Sequence, residues 1–221
     1  YKTLGFKVVY LNHFFLINPT IKKYKLISVK KPKRSTAQKN SFKIYIQSNL
    51  NFLKKDKYLK KFEKMFMKNY NYYRQKYSNH PLYKYNFYTI NKNNKILGFF
   101  TGRVCEYKGS SCLRFVEYYG SVKVFKNIKF SLLNFIKNSE YEYIDFYSLG
   151  IDKNALMKAG FLENKFNNNY IIPNYYEPFV KENIKICSIF WPKNSKLLIF
   201  KGDGDQDRPN QIKKTYPGIL Y

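Results

Sequence analysis

Apolar and polar positions alternate along the chain in a way that marks out strands and helices in turn. The segments FYTINKNNKILGFFTGRV and SSCLRFVEYYGS have the two-residue period of strands, and the Asn-rich turn at residues 92–95 predicts a hairpin in the first of them. Helical spacing then returns in VKVFKNIKFSLLNFIKNS, and a short strand is predicted in YEYIDFYSLG. A second helix is predicted in DKNALMKAGF, and a last strand in NNNYIIPNYYEPF. This order of elements indicates an α/β layer built on a mixed sheet.

A helix is also predicted between residues 50 and 77, where apolar side chains recur at helical spacing. These positions are Leu59, Phe62, Phe66, Tyr70, Tyr73 and Tyr77. Lysines fill the intervening positions, and we expect the helix either whole or in two pieces. Its lysine face is a solvated surface or, if the protein binds nucleic acid, the first surface that nucleic acid would contact.

The charge of the chain is strongly unbalanced. The 221 residues include 41 Lys and Arg against 14 Asp and Glu, a formal net charge of +27, which ordinarily favours nucleic acid, anionic lipid or phosphorylated partners. Only 5 of the basic residues are Arg, however, and Lys, Asn, Tyr, Phe and Ile are abundant together, as AT-rich codons would produce. Because Arg is the preferred reader of phosphates and guanines, attraction to a phosphate backbone is favoured over base reading, and codon usage stays open as a cause.

Three cysteines, Cys105, Cys112 and Cys187, form no CxxC pair, which favours a reduced cytoplasmic protein. His13 and His80 stand far apart without a partner motif, so neither a zinc site nor a His-based triad is predicted. The sequence has no apolar run long enough for a transmembrane helix. It begins with Tyr rather than Met, inside a patterned segment, which predicts that the original N-terminus is missing.

Two segments of the chain echo each other: YKTLGFKVVYLNHFFLIN at residues 1–18 and LMKAGFLENKFNNNYIIPN at residues 156–174. Each closes a helix at Gly-Phe and then enters a strand, which predicts the tail of one unit followed by a whole second copy. With this pattern the chain resembles the GNAT acyltransferase superfamily, whose lobes close with a helix of the type N-x-x-A-x-x-x-Y-x-x-x-G-F and a hairpin. YKTLGF matches the end of that signature with Tyr1 at its tyrosine, whereas NALMKAGF has Leu156 where the family has the tyrosine that protonates the leaving thiolate.

The tandem arrangement resembles the Fem-type branch, which transfers aminoacyl groups from tRNA, and the related acyltransferases of surface-polysaccharide clusters. The resemblance covers residues 1–20 and 84–190 and implies a mixed, mostly antiparallel sheet flanked by helices. It also implies an acyl-CoA or aminoacyl-tRNA donor and an amine acceptor such as an amino sugar or a cell-envelope precursor. The corresponding division of the chain is 1–29 (end of a preceding GNAT-like lobe), 30–41 (basic linker), 42–190 (GNAT-like lobe) and 191–221 (C-terminal segment with an acidic loop).

The resemblance also places a phosphate site. The family's pyrophosphate loop, Q/R-x-x-G-x-G/A, lies between the third strand and the following helix, where this chain has EYYGSVKVF at residues 117–125. Gly120 keeps one glycine of the loop, Ser121 is placed to cap the helix, and Lys123 brings charge towards a phosphate. These three are the candidate cofactor-binding residues, although the rest of the signature is absent.

Acyl transfer to an amine needs a base for the amine proton and a donor for the leaving group. In the resembled fold the base often lies at the end of the third or fourth strand, which makes Glu117 the candidate base and Tyr118 and Tyr119 candidate donors. Tyr147, at the end of the next strand, is a further candidate catalytic residue. The alternative for Glu117 is an ion pair with a neighbouring lysine at a strand edge.

The segment KGDGDQDRPN concentrates acid in an otherwise basic chain. The spacing of Asp203, Asp205 and Asp207 matches the first half of an EF-hand loop, but Arg208 and Lys214 stand where calcium requires a glycine and a bidentate glutamate, so no metal is expected. We expect the three aspartates and Arg208 to grip a substrate from a loop that follows the strand-like KLLIFK and covers the mouth of the sheet. A plain solvated turn is the alternative.

Three functions follow from these patterns. The first is an N-acyltransferase or aminoacyltransferase with Glu117 as base and residues 203–208 as a substrate clamp. The second is a catalytically silent lobe, structural or nucleic-acid-binding, that supports a missing N-terminal lobe; the absent tyrosine and the incomplete phosphate loop favour it. The third is a basic RNA-binding module, which would bind weakly and with a steep dependence on salt.

Overall fold

The computed structural model describes residues 2–29, 37–166, 170–174, 180–191 and 197–204, and every structural statement below concerns these ranges. Within them, twelve strands are numbered in chain order. They are β1 (Lys7–Tyr10), β2 (Asn12–Ile17), β3 (Ser28–Val29), β4 (Phe42–Gln47), β5 (Asn86–Lys92), β6 (Lys95–Tyr107), β7 (Ser110–Gly120), β8 (Tyr141–Leu149), β9 (Leu162–Glu163), β10 (Tyr170–Ile171), β11 (Cys187–Phe190) and β12 (Ile199–Phe200).

Short helices connect these strands. The α-helices are α1 (Asn51–Lys55), α2 (Lys57–Lys60), α3 (Glu63–Phe66), α4 (Tyr70–Tyr73), α5 (Lys129–Lys137) and α6 (Lys153–Lys158). A π-helical turn follows α4 at Arg74–Ser78, and 3₁₀ turns lie at Lys2–Leu4, Val122–Lys126 and Lys201–Asp203.

The main sheet has eight strands in the order β4-β5-β6-β7-β8-β2-β9, with β12 also paired to β8. All of its described neighbours are antiparallel except β7 and β8, which are parallel. The predicted α/β class, with a mixed, mostly antiparallel sheet flanked by helices, is therefore confirmed. The smaller pairs β1–β11 and β3–β10 lie outside this sheet.

The predicted hairpin between β5 and β6 is confirmed. Asn93 and Asn94 form its two-residue turn with φ of 49° and 61°, and Lys92 pairs with Lys95 across it. Positive φ at both central residues defines the turn that matches the twist of antiparallel strands, and Asn adopts it more readily than most residues.

The helical segment after residue 50 is more fragmented than its apolar spacing predicts. Asp56 ends α1 and caps α2 through its carboxylate, which accepts from the backbone N–H of Tyr58 at 2.8 Å. Met67 ends α3 in the left-handed region with φ of 54°, and Asn69 then caps α4. Because these polar caps compete with helix continuation, one amphipathic pattern becomes a chain of single turns whose apolar side still faces the core.

The two faces of the sheet are covered by different elements. Tyr73 of α4 packs against Phe99 and Tyr119 at ring-centroid distances of 5.1 and 5.5 Å. Phe100, the next residue of β6, points to the opposite face and packs on Phe125 at 5.8 Å. The strand period thus assigns α1–α4 to one face and the segment after β7 to the other.

Residues 1–29 were assigned from the sequence to the end of a preceding lobe. Their strand β2 lies inside the main sheet, antiparallel to β8 from Asn12 opposite Ser148 to Ile17 opposite Tyr143. The described part of this segment therefore does not fold apart from residues 42–190, and the domain division itself stays a prediction. Of the predicted last strand, the described residues contain only β10, which pairs with β3.

Gly120 closes β7 where two strands approach closely. Its φ is 125°, and a Cβ at this position would lie 2.6 Å from the carbonyl oxygen of Leu97 and against the backbone of Gly98. This position therefore requires glycine for the fold alone, whatever else it does.

We expect Gly120→Ala to lower the free energy of unfolding by about 1–3 kcal/mol more than Gly109→Ala does, because overpacking adds to the backbone strain. Gly109 is the matched control, since it also has a positive φ, 72°, but its nearest neighbour to a Cβ is Lys25 Nζ at 3.9 Å. Urea denaturation of the two variants measures the difference. Equal losses would contradict the steric explanation.

Candidate functional site

Strands β7 and β8 diverge towards their carboxyl ends, and we call the space between the diverging ends the crevice. Their parallel pairing ends at Phe115 opposite Phe146, although β7 continues to Gly120 and β8 to Leu149. In open α/β sheets, ligands bind in crevices outside the carboxyl ends of parallel strands. Residues of both carboxyl ends therefore define the candidate functional site.

Strand β12 lies inside this crevice. Ser148 of β8 pairs with Asn12 of β2 on one side and with Phe200 of β12 on the other, so β12 takes the place that β7 vacates. The turn that follows is tightly fitted. A Cβ on Gly202 would lie 3.0 Å from the carbonyl oxygen of Val116.

Glu117 is fully buried at the end of β7 and is surrounded by polar groups from the helical segment. Its Oε1 accepts a hydrogen bond from Tyr73 at 2.7 Å, and its Oε2 accepts from Tyr72 at 3.3 Å and from Tyr77. Lys68 Nζ lies 2.6 Å from Oε1. A buried carboxylate is stable only with such compensation.

Lys68 joins the sheet to the C-terminal turn. Its Nζ lies 2.6 Å from Glu117 Oε1 and 2.5 Å from Asp203 Oδ1, and the side chain is almost completely buried. The ammonium group also lies 5.3 Å from the ring centroids of both Tyr72 and Phe200. We call Glu117, Lys68, Asp203, Tyr72, Tyr73 and Tyr77 the Glu117 cluster.

The tyrosines of this cluster remain protonated. Burial, and then the negative charge of Glu117, raise the pKa of Tyr73 and that of Tyr77 well above the ordinary value. The same two causes raise the pKa of Tyr72. Each hydroxyl is therefore a hydrogen-bond donor to the carboxylate at neutral pH.

The structure brings together Glu117 and Asp203, which the sequence assigned to catalysis and to substrate binding. The alternative that Glu117 pairs with a lysine is also observed, but Lys68 comes from a helical segment and the pair is buried rather than at a strand edge. Asp205, Asp207 and Arg208 lie outside the described residues.

The predicted donors beside Glu117 have other partners. Tyr118 donates to the carbonyl oxygen of Ser121 at 2.7 Å, and Tyr119 donates to that of Leu59 at 3.0 Å. Both hydroxyls therefore anchor backbone, and the hydroxyls that reach Glu117 come from α4 and the turn after it.

The three predicted phosphate-binding residues lie between β7 and α5. Ser121 begins the 3₁₀ turn at Val122–Lys126 without a side-chain capping bond, and its backbone N–H donates to Leu97 O at 2.9 Å. Lys123 is exposed. Gly120 has the steric role described above.

Tyr147 belongs to a second buried group on β2 and β8. Its ring stacks on His13 with centroids 4.2 Å apart, and its hydroxyl donates to Ile184 O at 3.0 Å. His13 Nε2 lies 3.7 Å from Asp145, and His13 Nδ1 lies 3.2 Å from Asn164. Burial lowers the pKa of His13 more than the nearby Asp145 raises it, so the imidazole is neutral at pH 7.

The 3₁₀ turn at Lys201–Asp203 connects the two groups. Lys201 Nζ donates to the carbonyl oxygen of Asn174 at 2.6 Å, and Arg114 donates to the same oxygen. Asp203, at the other end of the turn, binds Lys68. This one short turn therefore contributes the ammonium group of Lys201 to the contact with Asn174 and the carboxylate of Asp203 to the Glu117 cluster.

Sequence reasoning missed Lys68, Tyr72 and the hydroxyl roles of Tyr73 and Tyr77. Lys68 lies off the apolar spacing and is flanked by exposed residues, so the local pattern gives no sign that it is buried. The tyrosines did carry a signal. Tyr73 and Tyr77 occupy predicted core positions, where each buried hydroxyl needs a partner that Phe would not need.

Within the part of the chain that the structure describes, no group of three or more His, Cys, Asp or Glu side chains could hold a metal ion. Among the same residues, no helix has the length and apolarity needed to cross a bilayer. The cysteines described are free thiols, and Cys105 lies opposite Cys112 in the β6–β7 ladder. Comparison of the chain with protein-family models and with curated proteins gave no match.

We expect Lys68→Met to lower the free energy of unfolding by about 3–5 kcal/mol, because it leaves the buried carboxylate of Glu117 without a cation. Adding Glu117→Gln to this variant should recover part of the loss. Lys153→Met is the control, since Lys153 pairs with Glu163 at 2.6 Å but is 48% exposed, and should cost less than about 1 kcal/mol. Denaturant titration measures these three variants and the single Glu117→Gln, and additive effects of Lys68→Met and Glu117→Gln would show that the pair is not coupled.

The stability of the protein should also depend on pH, because His13 is buried in its neutral form. The pKa of His13 in the folded state is lowered from 6.5, so on acidification the unfolded chain binds a proton before the folded chain does. The stability that neutral His13 contributes to the fold is therefore complete above pH 6.5 and declines as the pH falls below it. The slope is at most about 1.4 kcal/mol per pH unit. We expect His13→Phe to flatten the stability curve between about pH 7 and pH 5.5, measured by urea denaturation. An unchanged slope would assign the pH dependence to other groups.

Proposed function

We propose that this chain forms a GNAT-like lobe that transfers an acyl or aminoacyl group to an amine, with Glu117 accepting the amine proton. The observation that carries the proposal is the ammonium group of Lys68, which lies 2.6 Å from Glu117 and 2.5 Å from Asp203. An acceptor amine has the same charge and the same hydrogen-bond donors as Lys68 Nζ. The crevice is therefore chemically suited to a substrate ammonium group in the same position.

In the proposed reaction the substrate ammonium takes the place of Lys68 Nζ beside Glu117. Glu117 accepts one proton, and the free amine attacks the acyl carbon of the donor, so that a carbon–nitrogen bond forms as the bond to the donor's sulfur or oxygen breaks. The second proton leaves the nitrogen to water as the amide forms. Tyr72 gives its proton to the leaving group and recovers one from Glu117 through their 3.3 Å contact. Tyr72 suits this role because it is the least buried of the three hydroxyls and has Lys76 Nζ at 3.1 Å.

The junction after β7 does not have the amide cradle that a pyrophosphate group needs. The N–H of Ser121 donates to Leu97 O at 2.9 Å, and the N–H of Val124 donates to Ser121 O at 3.2 Å. These residues do not fit the pyrophosphate of coenzyme A, and the mechanism uses none of its atoms. Acyl-CoA enters the test below only as one donor expected from the resemblance.

The acceptor we propose is an amino sugar or a cell-envelope precursor, and the reaction is placed in the cytoplasm. A tRNA-borne donor is supported by the exposed lysines of α1–α3, which form the basic face expected from the sequence. These lysines are Lys54, Lys55, Lys57, Lys60 and Lys64.

A second candidate function is a catalytically silent lobe that supports another part of a larger protein. The fit of the C-terminal turn favours it. Gly202 has no room for a side chain against Val116 and Glu117, so in this structure the turn itself occupies the crevice. In the silent lobe, the Glu117 cluster would hold that turn in place and have no chemical role.

The test is acyl transfer by the full chain, with acetyl-CoA or aminoacyl-tRNA as donor and a panel of amino sugars and peptide amines as acceptors. Mass spectrometry detects the amide product. We expect Glu117→Gln to reduce the rate by about 100-fold or more, because it removes the base while keeping the shape of the side chain. Glu163→Gln, the same change at a distant surface pair, should keep the wild-type rate.

Thermal denaturation of each variant shows whether the fold is retained. If the wild type transfers the acyl group and Glu117→Gln does so at the same rate, Glu117 is not the base. No transfer with any donor and acceptor, by a folded wild-type chain, would overturn the proposal in favour of the silent lobe.

A further inference from the structure

A second cavity, distinct from the crevice, lies where α5 begins. It has a volume of about 570 Å³ and is bordered by the start of β4, the end of β5, the segment before α5 and the end of α6. Five lysines line it: Lys39, Lys92, Lys126, Lys129 and Lys158. We call it the lysine pocket.

All of the described charged side chains that line the lysine pocket are positive. Among the described residues that line it none is acidic, and the other polar lining side chains are amides and a hydroxyl, those of Gln38, Asn40, Asn127 and Ser41. Five ammonium groups around one cavity repel each other, which costs stability unless an anion shares the space. Four of the five lysines are exposed side chains, so their ammonium groups are accessible to a ligand from solution.

The walls of the pocket are held in place by hydrogen bonds. Asn40 donates to the carbonyl oxygen of Asn127, which ties the segment before β4 to the segment before α5. Ser131 donates to Phe42 O at 2.8 Å and lies 3.2 Å from Asn40 Oδ1. The lysine stems therefore project from a fixed frame.

Two neighbouring features suit the pocket to an anion. Helix α5 has nine residues, and its N-cap Ile128 supplies no side-chain hydrogen bond. Lys129 and Phe130, in the first turn of that helix, line the pocket, so the positive end of the helix dipole adds to the lysines. Phe42 contributes an apolar wall, with Lys92 Nζ 5.2 Å from its ring centroid.

We propose that the lysine pocket binds a small ligand with two or more phosphate groups. Lysine binds phosphate as a point charge, so several lysines around one cavity suit a ligand with several phosphate groups, without the bidentate geometry that an arginine fork would add. A cavity of about 570 Å³ has the size of a small-molecule site. Gly120, Ser121 and Lys123 do not line it, and the inference does not depend on the acyl-transfer proposal.

The test is calorimetric titration of the full chain with pyrophosphate, with ADP and coenzyme A as separate arms that identify the kind of phosphate donor. We expect saturable binding of pyrophosphate and a loss of affinity of about tenfold or more in Lys126→Gln/Lys158→Gln. The matched control is Lys22→Gln/Lys23→Gln, two exposed lysines between β2 and β3, which should change the affinity less than about twofold.

A second measurement separates a binding site from a structural role of these lysines. Without ligand and at low salt, Lys126→Gln/Lys158→Gln should raise the thermal midpoint, because repulsion is relieved; with pyrophosphate present it should lose the stabilisation that the wild type gains. A lowered midpoint without ligand would assign these lysines a structural role. No binding of pyrophosphate, or equal losses in the pocket pair and the control pair, would overturn the proposal.

Discussion

The contact of Lys68 with two carboxylates fixes three parts of the chain relative to one another. An ammonium group that is almost completely buried is stable only when its lost hydration is replaced, and Glu117 and Asp203 replace it at 2.6 and 2.5 Å. The three residues come from the helical segment, from β7 and from the C-terminal turn. Because Lys68 and Glu117 would each be an unpaired buried charge without the other, and Asp203 binds the same ammonium group, packing of the helices on the sheet and seating of the turn depend on the same ions.

The sheet also depends on strand β8, which pairs with three other strands. It pairs with β7 in parallel, then with β12 where β7 has separated, and along its far edge with β2. The sheet is therefore completed by segments from near both ends of the sequence given. A ligand that entered the crevice would displace the turn after β12 and so expose the Glu117–Lys68 pair, which couples binding to a local opening.

The sequence predicted the sheet well and the site poorly, for physical reasons. Strand period and the Asn93–Asn94 turn are local signals, so the hairpin, β7, β8 and both later helices were predictable. The apolar face of the segment after residue 50 was also predictable, but the breaks at Asp56 and Asn69 were not, because a side chain that caps one turn is locally compatible with a continuous helix. Lys68 was not predictable, because its partners are far away in the sequence and local composition favours an exposed lysine.

The distribution of charge distinguishes what composition imposes from what the fold requires. Codon usage can fill a surface with lysine, but it cannot place charge in the interior, where each ion needs a partner. The buried ions obey this limit: Lys68 lies against Glu117, and Arg114 donates to the carbonyl oxygens of Asn174 and Pro173. Among the described residues, most of the excess positive charge is therefore carried by the surface, where charge is inexpensive and mostly uninformative. It becomes informative only where geometry concentrates it, as in the lysine pocket, whose described lining holds five lysines and no acid.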